Sequence, residues 1–172
     1  MDVYGKEPKN KNGEYFRNNI WYWRPLWDYC CDVAGDVIDD DLATYGHTND
    51  GQGLDADGAV RLAERLLQEV ESGNTAEFKK NYDAELAALP LLPCQYCEET
   101  GIRTDAVGVS GGMLTRELSE EIAILLGRTH GTCNGCNGSG KRESFATSYP
   151  FEVENVVEFA NFCKDSGGFE IC

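Results

Sequence analysis

The chain has 172 residues, the length of one ordinary domain, and its 41% hydrophobic content is enough for a core. It holds no run of about 18 apolar residues, which excludes a membrane-spanning helix. Thirty acidic against 15 basic residues give a net charge of −15, a field that repels nucleic-acid phosphate and argues against direct DNA or RNA binding.

In chain order, residues 1–19 are polar and read as an extended arm or loop. They carry no apolar segment of the secretory kind, so a cytoplasmic location is expected. The stretch "IWYWRPLWDYCCDVAGDVI" follows, with Pro25 suited to the first position of a helix. Leu26, Tyr29, Cys30, Val33 and Val37 then recur at helical spacing, and Trp21, Trp23 and Trp27 are expected in the core, with an exposed anchor for a partner as the alternative. Residues 39–58 are acidic and glycine-rich and read as a loop. Leu62, Ala63, Leu66, Leu67 and Val70 mark a helix over about 57–72, with Gly73 at its C-terminal cap.

Asn74 and Glu77 read as a capping pair for a second helix carrying Phe78, Tyr82, Leu86 and Leu89, which ends before Pro90. The two helices are expected as an antiparallel hairpin. Beyond them, Gly108, Gly111 and Gly112 suggest a turn, and Ser119–Leu126 a short helix stopped by Gly127. A last helix spans about 152–165, and "FEIC" reads as a closing strand. The fold class is therefore α+β, mainly helical, in a small single domain. Residues 1–93 form the arm and helical region, 94–143 a metal module with an inserted short helix, and 144–172 a helix and strand on the same core.

Eight cysteines in a cytoplasmic chain are not expected to form a disulfide framework. Four fall into two C-x-x-C pairs, Cys94 with Cys97 and Cys133 with Cys136, while Cys30, Cys31, Cys163 and Cys172 show no ligand spacing. Two sulfurs three residues apart fit one side of a tight turn, and the chain after them must reverse, a conformation glycine accepts without a steric penalty. "CNGCNGSG" supplies Gly138 and Gly140 for this, and "CQYCEETG" supplies Gly101, with Glu99 where the matching glycine would stand. A redox dithiol normally opens a helix, whereas these pairs run into turn residues. The reading is one structural Zn²⁺ held by Cys94, Cys97, Cys133 and Cys136, with His130 a spare neighbour.

These segments resemble the cysteine-rich zinc module of DnaJ-type chaperones, whose repeat is C-x-x-C-x-G-x-G. The likeness is complete at Cys133–Gly140 and partial at Cys94–Gly101, and it covers about 25 residues. Two repeats imply one zinc, and without a His-Pro-Asp tripeptide the likeness implies no co-chaperone activity. Similar half-modules occur in small proteins that bind other proteins. On "GEYFRNNIWYWRPLWDYC", "GHTNDGQGLDADGA", "GRTHGTCNGC" and "YPFEVENVVEFANF", the chain is similar to a family of bacterial and phage proteins, a resemblance that implies a shared fold and no activity.

"HTNDGQGLDADG" is the candidate for chemistry. His47, Asp50, Asp55 and Asp57 could ligate a metal in a hydrolytic site, and residues 53–64 partly fit a calcium loop that lacks its first acid at Gly53. The simpler reading is a turn in which Asp55 or Asp57 caps the following helix. No phosphate loop, nucleophile elbow or Rossmann fingerprint is present, so no catalytic residue is assigned. The expected function is a zinc-stabilised acidic interaction module whose partner presents a basic face, in the manner of a phage-type inhibitor of a host nucleic-acid-handling complex. A metal-dependent enzyme at His47–Asp57 is one alternative. A zinc-containing nucleic-acid binder with a local patch at Arg128, Lys141 and Arg142 is the other.

Overall fold

The computed structural model describes residues 1–172, and the chain is α+β and mainly helical. Contacts gather into two compact units, residues 1–87 with 148–172, and residues 88–147. No helix is long and apolar enough to cross a membrane.

The first unit opens with β1 (Asp2–Gly5) and β2 (Tyr15–Arg17), which join β5 (Phe169–Ile171) in an antiparallel sheet of order β2-β1-β5. The expected N-terminal arm is thus a pair of strands. Val3 lies opposite both Phe16 and Ile171 and is buried with them, while Asp2, Tyr4, Arg17 and Glu170 take the other face. Each strand buries only one or two residues, too few to stand out as alternation in the sequence.

Helix α1 (Ile20–Val33) starts at Asn19, whose side chain accepts from the N–H groups of Trp21 and Tyr22. Pro25 therefore lies inside the helix rather than at its first position, and gives no N–H to the ladder there. Trp23 and Trp27 stack with centroids 5.5 Å apart, and their indole N–H groups donate to the carbonyls of Gly46 and Ala43. Both are fully buried, whereas Trp21 is 37% exposed and packs on Tyr149. The carbonyls that receive the two indoles belong to α2 (Asp40–Tyr45) and its end, a short helix capped by Asp39 within a stretch expected to be all loop.

Helix α3 (Ala56–Glu71) buries Ala59, Leu62, Ala63 and Leu66 along one stripe. That stripe lies along α7 (Val153–Asp165), which buries Val156, Phe159, Ala160, Phe162 and Cys163. The expected hairpin of α3 with α4 (Asn74–Ala88) does not form as the main packing: α4 contributes Thr75, Phe78 and Tyr82 to the core and leaves Leu89 beyond its end exposed. Gly73, at φ +85°, follows α3 as expected, but Asn74 is the first residue of α4 and its side chain turns back to Glu69. Lys79 ties α4 to the residues that lead into α7 through the Phe151 carbonyl and Glu152, and pairs within α4 with Asp83.

The second unit holds β3 (Leu92–Pro93) paired antiparallel with β4 (Lys141–Arg142), and two short helices, α5 (Ala106–Ser110) and α6 (Glu120–Leu126). Helix α5 occupies the expected glycine turn, and α6 ends at Gly127 in the left-handed conformation. Its buried positions are Cys94, Cys97, Gly101, Gly108, Gly131, Thr132, Cys133, Cys136, Gly138 and Gly140. No aliphatic or aromatic side chain in residues 88–147 is buried, and the core cluster there consists of the four cysteines.

Candidate metal centre

The two cysteine segments fold into turns of the same design. In each, the second cysteine donates its N–H to the carbonyl of the first, Cys97 to Cys94 and Cys136 to Cys133, both at 3.3 Å. Three residues on, Thr100 and Ser139 each turn a hydroxyl back to the carbonyl of that second cysteine, Thr100 to Cys97 and Ser139 to Cys136. The same hydroxyl oxygens accept from the N–H groups of Ile102 and Lys141. The backbone then passes through positive φ at Glu98, Glu99 and Gly101 in one turn and at Asn137, Gly138 and Gly140 in the other. Glu99 thus adopts the conformation expected of the glycine it replaces.

The turns also touch. A side chain on Gly101 would run into the Gly138 carbonyl, and one on Gly140 into the Glu99 carbonyl, so each closing glycine makes room for the opposite turn. Strands β3 and β4 join the turns at their ends, where the Cys94 N–H donates to the Gly140 carbonyl at 2.9 Å.

All four sulfurs lie within 4.8 Å of one another. Cys94 Sγ is 3.8 Å from Cys133 Sγ, and Cys97 Sγ is 3.7 Å from Cys136 Sγ. A disulfide needs about 2.05 Å, so these are free thiols. An ion with metal–sulfur bonds of about 2.3 Å at the centre of a tetrahedron sets its sulfurs ~3.8 Å apart, the spacing of these two pairs. The four-sulfur donor set fits a thiophilic tetrahedral cation.

Backbone N–H groups complete the site. Tyr96 and Gly135, two residues after the first cysteine of each turn, donate to Cys94 and Cys133. Gly101 and Gly140, four residues after the second, donate to Cys97 and Cys136, the latter at 3.3 Å. Burial pushes the Cys97 thiol up to about 12, and raises Cys133 for the same reason. At Cys94 burial also acts upward, but the Tyr96 N–H and the neighbouring thiols outweigh it and hold the group below its ordinary value. Four thiolates this close repel one another, so filling the site with a cation displaces the protons that otherwise keep the sulfurs neutral.

The other candidates fall elsewhere. His130 is exposed, hydrogen-bonds to the Thr129 hydroxyl and takes no part in the cluster. His47 pairs through Nε2 with Asp28 at 3.0 Å. Asp55 caps α3 by accepting from the Gly58 N–H at 2.8 Å, so residues 56–64 are helix and form no calcium loop. His47, Asp50, Asp55 and Asp57 do not converge into a group able to hold an ion.

Sequence reasoning named Arg128 and Arg142 only as part of a basic patch and missed Arg103 altogether. Arg103 pairs with Asp105 through Nε and Nη2, hydrogen-bonds to Asn134 and lies 4.9 Å over the Tyr96 ring. Arg142 also lies over that ring, at 6.0 Å. Nothing in the spacing of single arginines in a sequence signals such contacts. Comparisons of the chain with protein-family models, with curated proteins and with solved structures return no match.

Proposed function

We propose that the protein is a zinc-stabilised, acidic interaction module. The observation that carries this reading is the composition of the interior of residues 88–147, four cysteines whose sulfurs lie within 4.8 Å of one another with no buried aliphatic or aromatic side chain beside them. Zn²⁺ is the natural occupant of a closed four-cysteine site, and it leaves no open position for a substrate. The likeness of Cys133–Gly140 to the DnaJ-type repeat points the same way. A site of this kind supports a shape and supplies no reaction.

Two surfaces support a role in binding. Residues 1–87 and 148–172 carry 23 Asp and Glu against ten Lys and Arg, so most of the net charge lies in that unit. In residues 88–147, Ile124 and Leu125 on α6 are each 77% exposed, beside Glu120 and Glu121. Apolar side chains among carboxylates suit a partner that offers apolar contacts within a basic surface. A protein that handles nucleic acid has such a face, and occlusion of its channel by an acidic module is the mode of action that follows. Direct nucleic-acid binding is less favoured because Arg128 is engaged with backbone carbonyls.

The purified protein is expected to contain one zinc per chain by elemental analysis. Immobilised, it should retain a basic-faced protein that about 0.5 M salt releases, as screening demands. A second metal lost in His47→Ala would favour the enzyme reading, and salt-sensitive binding to DNA alone would favour the nucleic-acid reading.

A further inference from the structure

Arg128 belongs to neither cysteine turn, yet its side chain engages both. It follows Gly127, the residue that ends α6, and its own N–H donates to the Ala123 carbonyl at 3.2 Å. Its Nη2 donates to the Gly101 carbonyl of the first turn at 3.1 Å and reaches the Gly138 carbonyl of the second at 3.5 Å. Its Nε donates to the Gly131 carbonyl, just ahead of Cys133, at 3.3 Å. The N–H of Gly101 donates to the Cys97 sulfur, and Gly138 lies between Cys136 and the Gly140 that donates to it. Arg128 therefore grips the peptides next to those that orient the sulfurs.

Loss of an ion from a closed four-cysteine site requires the two turns to separate. The β3–β4 pair ties them at one place, and Arg128 ties them at a second. We propose that Arg128 is a positioning residue for the metal centre, holding the two turns at the spacing a four-sulfur ion needs and thereby slowing its release. The inference rests on the zinc reading above. A planar guanidinium can serve several carbonyls at once, whereas an ammonium is a point donor on a flexible stem. The clamp accordingly depends on the shape of the fork as well as on its charge.

The test is zinc transfer from the full-length zinc-loaded protein to a colorimetric chelator, comparing wild type with Arg128→Lys, Arg128→Ala and the control Arg116→Ala. Both Arg128 variants should release zinc at least about tenfold faster, equivalent to ~1.4 kcal/mol by the usual conversion. Arg116→Ala should match wild type. Both Arg128 variants should still reach one zinc per chain when zinc is in excess, which separates faster release from failure to fold. Release from Arg128→Lys within about twofold of wild type would overturn the fork argument, and the same from Arg128→Ala would overturn the proposal entirely. A wild-type protein that takes up no zinc would instead defeat the underlying reading, whatever the variants do.

Discussion

Glu99 stands at φ +65°, where the matching residue of the other turn is Gly138 at φ +86°. A residue with a Cβ in the left-handed region costs roughly 1–2 kcal/mol, part of which glycine forfeits through the greater freedom of its unfolded chain. Glu99→Gly also removes a carboxylate two residues from Cys97 in the chain, where four thiolates and one divalent ion would sum to about −2. The substitution should therefore stabilise the metal-loaded form by about 0.5–1 kcal/mol. Chemical denaturation followed by zinc release is the measurement, and a shift to lower denaturant would contradict it. This residue was legible in advance as a departure from the repeat, because the repeat itself encodes backbone conformation. The contacts of Arg103 and Arg128 were not legible, since they depend on how separated segments meet.

At the scale of elements, α6 is the clearest case of a helix whose surface its own unit does not explain. None of its residues is buried, and Ile124 and Leu125 are largely exposed. The double change Ile124→Ser with Leu125→Ser should leave zinc content and thermal stability close to wild type while reducing retention of the partner by at least about tenfold. Retention equal to wild type would remove α6 from the interface. The elements also show what periodicity can and cannot predict. The stripes of α3 and α7 were readable because each repeats its apolar residues over several turns. Their packing on each other was not readable, because Phe78 and Tyr82 gave α4 an equally plausible apolar face. Helix α2 escaped because six residues with a single buried leucine carry almost no pattern.

At the scale of the whole molecule, the two units rest on different physics. Residues 1–87 and 148–172 bury a conventional apolar core that includes Trp23, Trp27, Phe159, Phe162 and Phe169. Within it, burial raises the Cys30 and Cys163 thiols well above the ordinary range, with the Cys163 thiol adding to the effect on Cys30. In the unfolded chain such thiols ionise near ~8.5, so above that pH the folded state holds more protons than the unfolded one. Stability of this unit should be flat near neutrality and fall as pH rises past about 9. All three tryptophans belong to this unit, so fluorescence-detected urea unfolding across that range reports on it. Replacing both thiols with alanine should lower the baseline and flatten the alkaline decline. An equally steep decline in that variant would assign the effect to other groups.

Residues 88–147 have no such core, and on the proposed zinc reading the binding of one ion, worth about 10–16 kcal/mol in peptide models, would hold them in shape. Hydrogen exchange measured before and after complete removal of the metal by a chelator tests this most directly. The expected result is loss of amide protection across residues 88–147, with protection in α1, α3 and α7 retained. Undiminished protection around Cys94–Gly101 and Cys133–Gly140 in protein shown to be metal-free would contradict it.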